Sequence, residues 1–300
     1  MSDYHTPVLL DESVSALAIS PGGVYVDATF GGGGHSREIL SRMDKKSRLI
    51  AFDRDEEALK NAPDDYRLTL INNNFRFIRN FIRLEGYEYV DGIICDLGVS
   101  SHQFDTGERG FSFRYDAPLD MRMSSNSKLT AADVVNAYSE EEMETLFADY
   151  GEVENSKKVA NLICKYRTEN TIMTTTDLNK AIEPLIPRFN EYKYLAKIYQ
   201  ALRIEVNGEM RALEGFLHGA LFSLKKGGRV VIITYHSLED RMVKNFLKSG
   251  NISGLSERDF FGNILSPFKV ITKKPIIPSE TEVASNARAR SAKLRVGEKM

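Results

Sequence analysis

Apolar residues in the first hundred positions come in short runs rather than at helical spacing. Four of them, 24–30, 48–53, 67–73 and 92–97, are rich in Val, Ile, Leu and Phe and are separated by helix-compatible stretches such as 36–43 and 56–61. This alternation predicts a parallel sheet covered by helices on both faces. A fifth run, 229–235, follows Gly227-Gly228, a pair that predicts the stop of a preceding helix. About 130 residues separate the fourth run from the fifth, whereas a crossover needs only a dozen or more. The excess predicts an inserted domain. It reads as helices at 131–138, 140–150, 156–167 and 176–182, with Ser139/Glu142 and Thr130/Asp133 spaced as capping boxes. A long amphipathic helix over 194–224, apolar at Ile198, Leu202, Val206, Leu213, Leu217 and Leu221, should return the chain to the sheet. A helix at 238–248 and two strand-like runs, 268–277 and 291–298, then close the sheet edge as an antiparallel ribbon. The expected division is residues 1–104 with 206–300 as one α/β domain, interrupted by a helical domain over 105–205.

The 300 residues are 42% hydrophobic and 27% charged, which excludes a disordered or collagen-like chain. Apolar stretches such as Val230-Val231-Ile232-Ile233 fall far below the ~18 residues of a membrane span, so no membrane association is expected. No basic flank precedes an apolar stretch in residues 1–12, which predicts no secretory signal. Two cysteines, Cys95 and Cys164, cannot build a disulfide framework, and the expected compartment is the reducing cytoplasm. The net charge of −2 hides a gradient: residues 268–300 carry eight basic and three acidic side chains, and residues 139–154 seven acids and no base. A basic tail on an acidic body suits an anionic partner, or a solvated surface.

The candidate chemistry begins where 24–30 runs into Gly31-Gly32-Gly33-Gly34-His35 and then a helix. Glycines at a strand-to-helix turn let the backbone approach a ligand and expose the first N–H groups of the helix. Asp53 ends the next run 22 residues after Gly31, about the ~20-residue offset at which an acid meets a ribose hydroxyl. That fits a dinucleotide or S-adenosylmethionine. No hydride-accepting substrate site is evident, while Asn72-Asn73-Asn74-Phe75 suits an adenine and Asp96 closes the fourth run. With the late ribbon typical of class I methyltransferases, these favour S-adenosylmethionine as cofactor.

Eight motifs in order resemble the bacterial 16S rRNA (cytosine-N4)-methyltransferase family nearly end to end. They are His5-Thr6-Pro7-Val8-Leu9-Leu10-Asp11-Glu12, Asp27-Ala28-Thr29-Phe30 with the glycine turn, and Phe52-Asp53-Arg54-Asp55. Then come Asp96-Leu97-Gly98-Val99-Ser100-Ser101, Arg109-Gly110-Phe111-Ser112-Phe113-Arg114 and Pro118-Leu119-Asp120-Met121-Arg122-Met123. Tyr235-His236-Ser237-Leu238-Glu239-Asp240-Arg241 and Asn286-Ala287-Arg288-Ala289-Arg290-Ser291 complete the set. The resemblance implies a class I methyltransferase Rossmann-like sheet with an inserted all-helical domain. It implies cofactor contacts at Gly33, Gly34, His35, Asp53, Phe75, Asp96 and Gln103, to which the glycine turn adds Gly31. It further implies methyl transfer to a cytosine N4 amine in 16S rRNA of the small ribosomal subunit, near the decoding centre. Two departures stand out: His102 in place of a common proline, and residues 192–197 in place of a Pro-Ala-Thr-Arg-like stretch.

Within that chemistry, Asp96 is either the acceptor that orients the N4 amine or a cofactor contact. His236 is either a substrate contact or a local hydrogen-bonding group, and Ser237 with Asp240 suits a helix start. Phe111 and Phe113, interleaved with Arg109 and Arg114 and flanked by Phe104 and Tyr115, either hold an unstacked base or pack a core. Arg288, Arg290, Lys293 and Arg295 either meet phosphates or dock the tail onto the protein's own acids. Arg203 and Asn207 are undecided between substrate and scaffold. Cys95 raises the rival of carbon-5 methylation through a cysteine nucleophile, but strand alternation turns it away from Asp96. The histidines show no metal-ligand spacing, and no catalytic metal is expected. A non-RNA methyl acceptor, or a ribosome-assembly factor without turnover, are the alternative functions; a homodimer is compatible with the sequence.

Overall fold

The computed structural model describes residues 7–98, 109–124, 127–262 and 265–300. The chain divides into two compact units, residues 1–98 with 211–300 and residues 99–210. The divisions fall a few residues from the 105 and 205 of the sequence reading.

The first unit contains α1 (Leu10–Ala16), β1 (Val24–Asp27), α2 (Gly34–Arg42), β2 (Arg48–Asp53), α3 (Glu56–Leu59), β3 (Leu68–Asn72), α4 (Ile78–Leu84) and β4 (Val90–Asp96). Its strands β1 to β4 lie side by side in parallel. The sheet order is β3-β2-β1-β4-β5-β7-β6, with β5 (Leu224–Thr234) parallel to β4. β7 (Lys293–Lys299) runs antiparallel between β5 and β6 (Phe268–Val270). This is the expected α/β Rossmann-like sheet with its closing antiparallel ribbon. Ile94, Val231, Ile233, Leu294 and Val296 face one side and pack with Val14, Leu17, Ile39 and Leu40 of α1, its flank and α2. Their neighbours Ile93, Cys95, Val230 and Ile232 point to the other side and are equally buried. Burial on both faces is why these strands read as continuous apolar runs.

Strand order reverses between β1 and β4: the chain moves outward one way through β2 and β3 and the other way through β5. The carboxyl ends of such neighbouring strands frame a crevice where ligands of open α/β sheets bind.

The second unit is helical: α5 (Ala131–Ala137), α6 (Glu140–Asp149), α7 (Ser156–Arg167), α8 (Thr175–Ile182) and α9 (Glu191–Asn207). Its own core includes Val134, Phe147, Ile163, Leu178, Ile198 and Leu202. Both expected capping boxes form, at Thr130/Asp133 and Ser139/Glu142, and a third stands at Thr174/Asp177.

Three local expectations are corrected. The single return helix is two, α9 and α10 (Glu209–Ser223), because Gly208 takes a left-handed φ of 59° and caps the first. β5 begins at Leu224, so Gly227-Gly228 lie inside the strand, at an irregularity in its pairing with β4, rather than stopping a helix. The run 268–277 pairs over only three residues plus a single Ile276–Leu294 bridge. Pro275 and Pro278 lack the N–H that a longer ladder needs.

Candidate active site

Three strands end in carboxylates at the crevice: Asp27 on β1, Asp53 on β2 and Asp96 on β4. Strand pairing brings them to one edge, since Asp27 lies opposite Ala51 and Ile94. Between them runs the glycine turn, whose Gly31 has a φ of 52° and open space where a Cβ would stand.

Each carboxylate has a distinct environment. Asp27 is fully enclosed; it accepts the Ser36 hydroxyl at 2.7 Å and the Thr29 amide at 3.1 Å. Burial pushes its carboxyl up to about 6, against the pull of those two donors. Asp53 accepts the Gly31 amide at 2.7 Å and the Asp55 amide at 2.9 Å, which ties the turn to the end of β2. Burial raises this group too, offset in part by the two amides. Asp96 accepts the Tyr235 hydroxyl at 2.8 Å, and its amide donates to the Thr29 hydroxyl at 2.7 Å. Its side chain is 24% exposed and its second oxygen lies 3.9 Å from Nδ1 of His35. Burial pushes Asp96 up to about 6, while His35 and the Tyr235 hydroxyl pull it down and the charges of Asp27 and Glu239 push it further up. Burial and the Asp96 charge hold the Tyr235 hydroxyl well above the usual phenol range, so it remains a donor.

Gly33 caps α2 without any side-chain cap. The first intrahelical bond, from the Arg37 amide to the Gly33 carbonyl, leaves the amides of Gly34, His35 and Ser36 ahead of it in the helix's first turn. The His35 imidazole is turned inward, with Nε2 3.3 Å from the Val8 carbonyl and the residue 5% exposed. Phe75 follows β3 and sets its ring edge-on to Phe216 at 5.6 Å. Asn72 donates to the Asp53 carbonyl, and Asn74 caps the short turn after β3, so both amides are engaged locally.

This donor set fits S-adenosylmethionine: two carboxylates that accept hydroxyl or amine donors, a glycine cradle with open space above it, and helix-start amides that donate to an anionic group. The first unit thus brings together Gly31, Gly33, Gly34, His35, Asp53, Phe75 and Asp96. Gln103 and Phe104 lie outside the described residues, as do His5 and His102.

His236 caps α11 (Ser237–Ser249): its Nδ1 accepts the Glu239 amide at 3.4 Å, and Glu239 reaches back to the amides of Tyr235 and His236 at 2.8 and 3.3 Å. The helix start is therefore His236/Glu239, and Ser237, expected to cap, is already its first helical residue. Glu239, 3% exposed, and Tyr235 are the site residues to which sequence reasoning assigned no role. Their signal was only that both stand in the motif at the end of β5.

Cys95 is wholly buried on the opposite side of β4, and burial pushes its thiol well above its ordinary value. A protonated, enclosed thiol cannot add to a pyrimidine ring, which removes the carbon-5 rival.

Several substrate expectations are corrected. Phe111, 5% exposed, belongs to the core of the helical unit, so its ring is not a platform for a base. Phe113 packs edge-on to Tyr199 at 5.4 Å and tilts against Tyr192 at 6.0 Å. Arg114 is exposed and lies 5.9 Å from the centre of the Tyr192 ring; half-buried Arg109 accepts the Met121 amide through its carbonyl at 2.7 Å. Arg295, 7% exposed, grips Asp240 through two bonds of 2.6 and 3.1 Å, and Lys293 approaches the same carboxylate at 3.5 Å. These two dock the tail onto the protein's own acid. Arg290 is exposed and Arg288 half-buried in the turn before β7. Asn207 is scaffold: it accepts the Met123 amide and donates to the Met121 carbonyl, both at 2.8 Å. Arg203 clasps Glu209 at 2.9 and 2.8 Å.

Comparison with known proteins places this chain in a family. Ribosomal RNA small subunit methyltransferase H of Phocaeicola vulgatus is 57% identical over 296 residues, spanning 99% of this chain and 97% of its own length. The protein of the same name from Flavobacterium johnsoniae is 54% identical over 298 residues, 99% of this chain and 98% of its own. A crystal structure of TrmN from Thermus thermophilus aligns at a TM-score of 0.45 and 14% identity, over 97% of this chain and 48% of that one. The pattern of the MraW methylase family matches residues 2–300, and the chain belongs to that family.

Proposed function

We infer that this chain transfers a methyl group from S-adenosylmethionine to the N4 amine of a cytosine in 16S rRNA near the decoding centre, with the RNA presented in the small ribosomal subunit. The cytoplasm is the compartment such a reaction requires. The observation that carries this reading is Asp96: a partly exposed carboxylate at the strand-order reversal, beside the glycine turn, in a chain more than half identical to enzymes named for ribosomal RNA methylation.

Bound there, S-adenosylmethionine supplies a methyl group already activated by its sulfonium. The chain's task is alignment and proton management. Asp53 would accept from the ribose hydroxyls with the lone pairs its amide donors leave over, and Phe75 would supply an apolar surface for the adenine. The amides of Gly34 and His35 and the cradle at Gly31 would hold the remaining polar groups, and Gln103 is a further contact implied by the family motif. The N4 lone pair of cytosine is delocalised into the ring. Asp96, ionised above about pH 6, accepts one N4 hydrogen and so helps to localise that pair on nitrogen. The same carboxylate takes up the surplus proton as the amine becomes methylated. Tyr235 keeps one oxygen of Asp96 fixed, leaving the other to the substrate. Arg288 and Arg290 contact phosphate, while Arg109 and Arg114 serve the RNA from the helical unit; His236 acts by positioning α11.

Labelled methyl transfer into isolated small subunits, followed by nucleoside analysis, tests this. The expected product is N4-methylated cytidine. A methylated protein, or cofactor binding without transfer, would point to the non-RNA acceptor or to the assembly factor.

A further inference from the structure

Beyond the active site, the segment from Arg76 to Leu84 carries a pattern that the chemistry above does not use. Ile78 and Ile82 are wholly buried, and α10 lies so close that a Cβ on Gly219 would stand 2.5 Å from the Ile78 side chain. Beside that buried pair stand Arg76, in the short turn before α4, and Arg79 and Arg83 on α4 itself, at spacings of three and four residues; Arg76 and Arg83 are exposed and Arg79 is half-buried. The Arg76 guanidinium lies 4.8 Å from the centre of the Phe77 ring, and that of Arg79 lies 4.8 Å from the Phe222 ring. Lys299 continues the row: its Nζ is 5.8 Å from the Tyr89 ring and donates to the carbonyls of Leu221 in α10 and Leu224 at the start of β5. Burial, with a smaller contribution from the neighbouring charge of Arg79, holds this ammonium below the usual lysine range. Phe77, Phe222 and Tyr89 are 42%, 52% and 44% exposed.

Among the described residues no carboxylate lies within 4.0 Å of Arg76, Arg79 or Arg83. Lys225 nearby is different, being paired with Asp91 at 2.9 Å. Arginines laid against rings have their planes fixed while the N–H edges stay open, which suits the fork geometry of phosphate oxygens. Exposed rings between them suit bases and sugars. A second copy of this chain meeting the same face about a two-fold axis would set arginine rows against each other, which like charge opposes.

We propose that this face of the cofactor-holding unit is a second docking surface for the rRNA, with Arg76, Arg79 and Arg83 contacting successive backbone phosphates. The proposal rests on the RNA-methylating reading and extends it. The stripe runs roughly 10 Å along the helix axis and starts one residue after Phe75, so RNA held on it passes beside the cofactor pocket.

The test compares wild type with Arg79→Gln/Arg83→Gln and with the exposed single change Arg83→Gln, all in the full chain. Affinity for isolated small subunits and for protein-free 16S rRNA is measured across a salt series, with cofactor affinity by calorimetry and kcat at saturating subunits alongside. The double variant should bind both RNA forms on the order of tenfold more weakly. Its log–log salt slope should be shallower by roughly 1.5, since each lost phosphate contact removes about 0.7 to 0.9. Cofactor affinity and kcat should stay at wild-type values, and the single variant should show about half the slope change. Unchanged affinity and slope in both variants overturns the proposal. So does a loss confined to intact subunits, which would assign the face to an acidic ribosomal protein. If wild type binds RNA but transfers no methyl group, the enzymatic reading fails, and the stripe is judged on affinity and slope alone.

Discussion

Asp96 and Asp27 end the neighbouring strands β4 and β1 but are set to different tasks. Both carboxyls are pushed up to about 6 by burial, but one faces the crevice and the other is sealed. For Asp96 the consequence is a rate that rises with pH through about 6, as the acceptor form appears. The Tyr235 hydroxyl lowers that value, so Tyr235→Phe should move the acid limb of kcat to higher pH and cost roughly tenfold at pH 6.5, recovering toward pH 8. An unmoved limb with a uniformly lowered rate would mean that Tyr235 only supports the fold. For Asp27 the consequence is stability. Its folded value lies above the unfolded 3.8, so its contribution is fully present below pH 3.8 and is lost as pH rises through about 6. Thermal midpoints from pH 5 to pH 7 should therefore fall more steeply for wild type than for Asp27→Asn; parallel curves would show that burial does not hold the proton. Asp53 and the glycine turn were legible in the sequence because their spacing is local. The Tyr235–Asp96 bond joins residues 139 positions apart, and nothing along the chain announces it.

At the scale of elements, capping chemistry was the most readable feature. Thr130/Asp133 and Ser139/Glu142 are satisfied within four residues, so their side chains decide the helix start without help from the rest of the fold. Thr174/Asp177 obeys the same rule, and Thr174→Ala should destabilise the helical unit by about 1 kcal/mol in a denaturant titration. A loss within error would place the stability of α8 in its packing alone. The α9–α10 break was hidden because apolar spacing continues across Gly208, and period alone does not distinguish one bent path from two helices. Gly227 was misread for a related reason: glycine ends helices and also tolerates the irregular pairing of a strand edge, and only the partner strand β4 decides between them.

At the scale of the molecule, the antiparallel edge depends on a long-range ion pair. Arg295 on β7 and Asp240 on α11 have side chains 8% and 14% exposed, and the neighbouring Lys293 adds to the charge that holds Asp240 below its ordinary range. Asp240→Ala strands a buried guanidinium and should cost about 3 kcal/mol by chemical denaturation. The salt slope of RNA binding should be untouched by this substitution; a shallower slope would return Arg295 to the RNA contacts. The two units have separate cores, so the insertion lengthens the connection between β4 and β5 without disturbing the sheet order.

The sequence by itself determined the alternation of strands and helices, the interruption of the sheet, the glycine turn with Asp53, and the family, because each is written in neighbouring residues or in motifs kept in order. Tertiary structure alone decided which charged and aromatic side chains remain available. Phe111, Arg295 and Asn207 have the composition of substrate contacts yet are enclosed, whereas Arg76, Arg79 and Arg83 look like an ordinary solvated helix yet, among the described residues, have no carboxylate within 4.0 Å. Burial and pairing depend on what the fold brings alongside from distant positions, and local pattern carries no record of that.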